Sequence, residues 1–152
     1  MSDKDSLTHN TFAPSNKELI RAAFAAAQCA YAPYSHFHVG AALLSANNRL
    51  FTGCNIENAA FSPSNCAERT AFFKAISEGI QDFKKIAIVC YHDHDKPEFC
   101  TPCGVCLQVM SEFCREDFEV IVAKDENTYQ SYLLSDLLPH AFSFTKKESN
   151  KA

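Results

Sequence analysis

Phe118-Glu119-Val120-Ile121-Val122-Ala123, Lys124-Asp125-Glu126-Asn127 and Thr128-Tyr129-Gln130-Ser131-Tyr132-Leu133 read as two strand-like runs joined by four polar residues. Four residues are too few for a parallel crossover, which needs a dozen or more. The second run is therefore expected to pair antiparallel with the first. Working outward, residues 86–91 are continuously apolar, as a central strand covered on both faces should be, and a helical stretch from Gly104 to about Arg115 separates them from Phe118. Residues 38–45 and 49–55 read as strands about an Asn47-Asn48 turn. A helix from Cys66 to about Glu78 follows, with Asn65 as its cap and Gly79 closing it. Residues 16–31 read as the first helix, with Leu19, Ile20, Ala23, Phe24 and Ala27 on one face, Asn16 as the cap and Pro33 beyond the end. Alternating strands and helices imply a parallel, right-handed core sheet. The expected fold is α/β, a three-layer α/β/α sandwich on a mixed five-stranded sheet with its last strand antiparallel.

The 152 residues suit one domain at 16–142, flanked by a flexible N-terminal tail at 1–15 and a polar C-terminal tail at 143–152. Hydrophobic residues make up 47% and charged ones 21%, an ordinary balance for a soluble domain. No apolar run is long enough to span a bilayer and no signal peptide opens the chain, so no membrane partner is expected. A formal charge of −4 gives no basic footprint for nucleic acid and favours a small-molecule substrate. Eight cysteines without a secretion signal point to a reducing compartment, and so to a cytoplasmic protein with thiols free for metal.

Those thiols are patterned. Cys66-Ala67-Glu68 is followed by Pro102-Cys103-Gly104-Val105-Cys106. Catalytic zinc takes three protein ligands and leaves a fourth position to water, whereas structural zinc is closed by four. Residues two apart on a helix point about 200° from each other, so Cys66 and Glu68 can converge only at a helix end, where side chains lean toward the N-terminus. Cys103 and Cys106, just after Pro102, have the same relation to another helix. The metal is therefore expected between two helix N-termini, whose partial positive charge favours thiolate. The cysteines alone leave open a closed four-thiolate site that includes Cys100 or Cys54. Cys29, Cys54, Cys90 and Cys114 read as small buried hydrophobes.

Cys-x-Glu with Pro-Cys-x-x-Cys is the three-cysteine form of the zinc-deaminase signature. With Ala30-Tyr31-Ala32-Pro33-Tyr34-Ser35, Phe37, Val39-Gly40-Ala41-Ala42-Leu43, Gly53-Cys54-Asn55-Ile56-Glu57-Asn58-Ala59, Gln108-Val109, Leu137-Leu138-Pro139 and Phe142, the chain resembles the small homotetrameric cytidine deaminases that act on free nucleosides. The resemblance implies one Zn²⁺ per subunit on Cys66, Cys103 and Cys106, with Glu68 moving protons between water, pyrimidine N3 and departing ammonia. It implies that Arg69 hydrogen-bonds the ligand sulfurs and offsets the charge of three thiolates. Asn55 and Glu57 would bind the ribose, and Phe37 and Phe142 would lie beside the base. Phe61, Ala67 and the rest of loop 56–61 would complete the substrate site. Phe142 would reach a neighbouring subunit, giving a homotetramer with shared active sites.

Three departures stand out: Leu107 where relatives commonly carry Arg, Phe61 where they commonly carry Tyr, and an extra thiol at Cys100 on the approach to the zinc cysteines. The implied activity is deamination of cytidine and 2′-deoxycytidine in pyrimidine salvage. The alternatives are a deaminase of a modified, antibiotic-type cytosine nucleoside and a zinc-stabilised module without turnover. A nucleic-acid editor fits the charge least.

Overall fold

A computed structural model describes residues 12–144, so most of both expected tails, 1–11 and 145–152, lies outside the described residues. The elements run α1 (Asn16–Ala27), β1 (Phe37–Ser45), β2 (Leu50–Cys54), α2 (Ala67–Ser77), β3 (Phe83–His92), α3 (Gly104–Phe113), β4 (Glu119–Ala123), β5 (Tyr129–Leu133) and α4 (Leu134–Leu137). The five strands form one sheet in the order β2-β1-β3-β4-β5. The fifth strand is antiparallel to the fourth, as the four-residue link required, and Val120 faces Tyr132.

The core is less parallel than alternation suggested. Only β3 and β4 pair in parallel. β1 lies between β2 and β3 and is antiparallel to both, with Gly40 opposite Cys54 on one side and Phe37 opposite His92 on the other. The helix between β2 and β3 reverses nothing, so those two strands share a direction while a third strand fills the gap between them. The expected mixed five-stranded sheet stands; the wholly parallel core does not.

Residue alternation divides the sheet into two apolar faces. Ala42, Leu44, Ala87, Val89, Ile121 and Ala123 face α1, meeting Leu19, Ile20, Ala23 and Ala27. Ala41, Leu43, Ile86, Ile88, Val120 and Val122 face the other way, toward α2 and α3, where Phe72 is fully buried. Its ring meets Phe83 edge-on at 5.0 Å. Burial of one such side chain stabilises by ~1.5–3 kcal/mol. These are the three layers.

Two glycines set how closely helices approach the sheet. A Cβ on Gly40 would lie 1.9 Å from the Ala23 carbonyl oxygen of α1, and one on Gly53 would lie 2.4 Å from that of Ala67 in α2. Both helices rest directly on strand backbone.

Several helix ends differ from expectation. α1 is capped by Ser15, not Asn16, through a reciprocal box with Glu18. It stops at Ala27 rather than Tyr31, because the Tyr31 backbone pairs with Asn55 and Glu57 instead. α2 begins with Cys66 at the cap position, not Asn65, whose amide donates to Thr70 Oγ1 at 3.1 Å. Gly79 does close α2, with φ of 83°.

Candidate active site

Cys66 and Cys103 are the N-cap residues of α2 and α3, both with extended backbone, and neither thiol caps a backbone N–H of its own helix. An ordinary cap side chain would be spent on the exposed N–H groups; these sulfurs remain available. Cys106 lies in the first turn of α3 and is buried. The three Sγ atoms lie within 4.8 Å of one another, and those of Cys66 and Cys103 are 3.9 Å apart. Tetrahedral zinc at ~2.3 Å from each sulfur separates its ligands by about 3.8 Å.

No other trio of His, Cys, Asp or Glu gathers in this way among the described residues. Cys100 is disulfide-bonded to Cys90, and the Cys54 thiol donates to the Cys29 carbonyl at 3.4 Å. Neither joins the cluster, so the closed four-thiolate arrangement does not form. Cys29 is exposed and Cys54 only part-buried, unlike the buried hydrophobes expected; Cys114 is buried.

The electrostatics suit a cation. Hydrogen bonding from the Cys106 thiol, then from the Arg69 guanidinium, holds Cys66 down to about 5 against the opposing effect of burial. The reciprocal bond to Cys66, with burial and the Glu68 charge, drives Cys106 upward. Arg69 Nη2 donates to Cys66 Sγ at 3.4 Å, while its Nε is buried without a partner. Three soft donors at two helix N-termini beside a guanidinium fit zinc.

Glu68 is the second residue of α2 and 5% exposed. Burial pushes its carboxyl up to about 7; the Cys66 thiolate adds to the rise, while its own backbone N–H, Cys106 and Arg69 oppose it. A carboxyl poised near neutrality can both accept and return a proton.

A second group lies across a narrow neck. Ile56 and Asn65 exchange backbone hydrogen bonds, each 2.9 Å, so the chain leaves the sheet after Asn55 and returns at Cys66. Glu57, just inside the neck, accepts from the Tyr34 and Ser35 amides at 2.9 and 3.2 Å and from the Ser35 hydroxyl. Asn55 donates to the Phe37 carbonyl at 2.7 Å and accepts from the Val39 amide at 2.8 Å. Its amide therefore ties β1 to the end of β2 and keeps one N–H for a ligand.

Tyr34, Ser35, Glu57, Phe61 and Ser64 line a cavity of about 390 Å³. Phe61 is exposed, with φ of 58°. Phe37, at the start of β1, has its ring 4.7 Å from that of His92. Ala67 is buried at the first position of α2. Phe142 is 72% exposed and stands beside α3, its carbonyl accepting from Gln108 Nε2 at 3.0 Å. Leu107 packs into the core below the cysteines.

The structure thus gathers Cys66, Glu68, Arg69, Cys103 and Cys106 at one point and Asn55 and Glu57 at the neck, and leaves Phe61 and Phe142 in solvent. Reading the sequence missed Ser35. It carries no spacing signal, and only the fold brings a residue 22 positions upstream onto Glu57.

The model of the cytidine and deoxycytidylate deaminase zinc-binding region matches residues 14–123. The chain belongs to this family. It is 46% identical to a cytidine deaminase of Sporosarcina psychrophila over 127 residues, 84% of this chain and 90% of that one. It is 45% identical to a probable cytidine deaminase of Dictyostelium discoideum over 128 residues, 84% of this chain and 83% of that one. Among solved structures, cytidine deaminase from Burkholderia pseudomallei superposes with a TM-score of 0.77 at 43% identity, covering 85% of this chain and all of the other. The family's zinc-binding character agrees with the three-sulfur cluster.

Proposed function

We propose that the protein hydrolyses cytidine and 2′-deoxycytidine to uridine and 2′-deoxyuridine with release of ammonia. The observation that carries this reading is Glu68: a buried carboxyl one turn-end away from three convergent thiols that do not include it. Cys66, Cys103 and Cys106 would hold zinc, which supplies a Lewis acid that makes water nucleophilic near neutral pH. Glu68 takes the proton of the attacking water, passes it to pyrimidine N3 and then assists departure of ammonia from C4. Arg69 shares the excess negative charge at Cys66. Glu57 and the free N–H of Asn55 take the ribose hydroxyls, Phe37 lies beside the base, and Ala67 and Phe61 border the nucleoside. Phe142, in solvent in the single chain, would complete the site of a neighbour in a homotetramer.

Pyrimidine salvage in the cytoplasm is the role this chemistry serves; six of the eight cysteines are free thiols, while the Cys90–Cys100 disulfide departs from the fully reduced set expected there. The test is the fall in absorbance as cytidine becomes uridine, before and after zinc chelation. Turnover that chelation abolishes and added zinc restores is the expected result; a zinc-loaded protein with no turnover would instead favour a structural module.

A further inference from the structure

We propose that Ser35 is a positioning residue for sugar recognition, its hydroxyl fixing the Glu57 carboxylate and the start of β1 as one unit. The inference rests on the reading of Glu57 as a ribose ligand. The Ser35 hydroxyl donates to Glu57 Oε1 and accepts the Phe37 amide at 3.1 Å. Its own amide and that of Tyr34 bind Oε2. A carboxylate offers about four lone-pair sites. Three are filled from a single tripeptide turn, so one remains, on Oε1 beside a cavity large enough for a pentose.

These donors also favour the ionised form of the group. The Ser35 hydrogen bond is the foremost cause that holds Glu57 below the usual carboxylate range, with the two amides and His36 adding to it. An ionised carboxylate only accepts, so it demands a hydroxyl donor from its ligand. Without the Ser35 hydroxyl, Glu57 keeps two amides but loses the donor that sets the orientation of Oε1.

The experiment compares wild type, Ser35→Ala, Ser35→Thr and Glu57→Ala as zinc-loaded enzymes on cytidine and on 2′,3′-dideoxycytidine, the latter read as an inhibition constant if turnover is slow. Ser35→Ala is expected to raise KM for cytidine about tenfold with little change in kcat, since a contact made equally in the ground and transition states is lost. It should leave dideoxycytidine unaffected, and Ser35→Thr should restore cytidine. Ser35→Ala should add nothing to Glu57→Ala.

Equal weakening toward both nucleosides, or additive effects with Glu57→Ala, would assign Ser35 a merely structural role and overturn the proposal. If Glu57→Ala itself leaves cytidine KM unchanged, the ribose reading fails first and takes the proposal with it. Should Ser35→Ala not fold, Ser35→Cys, a weak donor of similar size, serves in the same comparison.

Discussion

At the scale of single residues, the proposed roles divide between Glu68, for proton transfer, and the three neighbouring cysteines, for metal. The Glu68 carboxyl is outside the three-sulfur group, so its removal should spare the metal. Glu68→Gln is expected to keep one zinc per chain and lose turnover by ~10²–10⁴-fold or more, since an amide cannot accept the water proton. Steady-state rates beside metal analysis would show it, and near-normal rates would remove Glu68 from the chemistry. Cys103→Ala should lose zinc, activity and stability together, because the ligand serves both site and fold. Cys100→Ser should keep stoichiometric zinc, its sulfur being held at Cys90. Retention of zinc by Cys103→Ala but not by Cys100→Ser would reverse that assignment. The clustering of the three sulfurs was legible because Cys-x-Glu and Pro-Cys-x-x-Cys each fit a single helix start. The exclusion of Cys100 was not, since a three-residue spacing says nothing about where the loop before it runs.

Helix α2 carries Cys66, Glu68 and Arg69 as a unit, and the missing side chain of Gly53 sets its height above the sheet. A Cβ there would meet backbone atoms of Ala67 and Ala71 at 2.4 and 2.5 Å, which no rotamer change can relieve. The Lys74 ammonium holds the same helix to the Thr52 carbonyl farther along. Gly53→Ala should therefore destabilise by ~1–3 kcal/mol, as overpacking does, and weaken zinc binding because the displacement falls at the end that carries Cys66. Chemical denaturation and metal competition would measure the two effects; unaltered zinc affinity would mean that α2 absorbs the shift without moving its N-terminus. Helix existence was readable from periodicity, but caps were less so. Ser15-Asn16-Lys17-Glu18 holds a capping-box signal that identifies Ser15. At α2 the same pattern, Asn65-Cys66-Ala67-Glu68, points one residue early, because Cys66 occupies the cap position and Asn65 turns to Thr70.

Across the whole molecule, the antiparallel hairpin at β5 followed from linker length, whereas the insertion of β1 between β2 and β3 did not. Strand order is decided by which faces helices must cover, and no local pattern records it. That insertion brings the first residue of β1, Phe37, to the rim where β2 and β3 end. Phe142 stands exposed beside α3, which underlies the proposed shared site. Sedimentation should give a tetramer, and Phe142→Ala should weaken cytidine binding by ~1–3 kcal/mol, the scale of lost base stacking, with zinc content unchanged. A fully active monomer would defeat that assembly. The opposite rim is closed differently. There Ser45 and Arg49 share backbone and hydroxyl bonds of 2.9 Å, Ala46 donates to Asp82 at 2.8 Å, and Lys84 reaches Asn48 at 2.7 Å. One end of the sheet is thus tied by short turns; at the other, the proposed zinc would join loops that lie far apart in sequence. Chelation should consequently loosen the protein from one side only: amide exchange should quicken through residues 55–70 and 93–106 while the turns at 45–49 and 79–82 keep their protection. Uniform acceleration at both rims would mean that the metal stabilises the fold as a whole rather than fastening one edge of it.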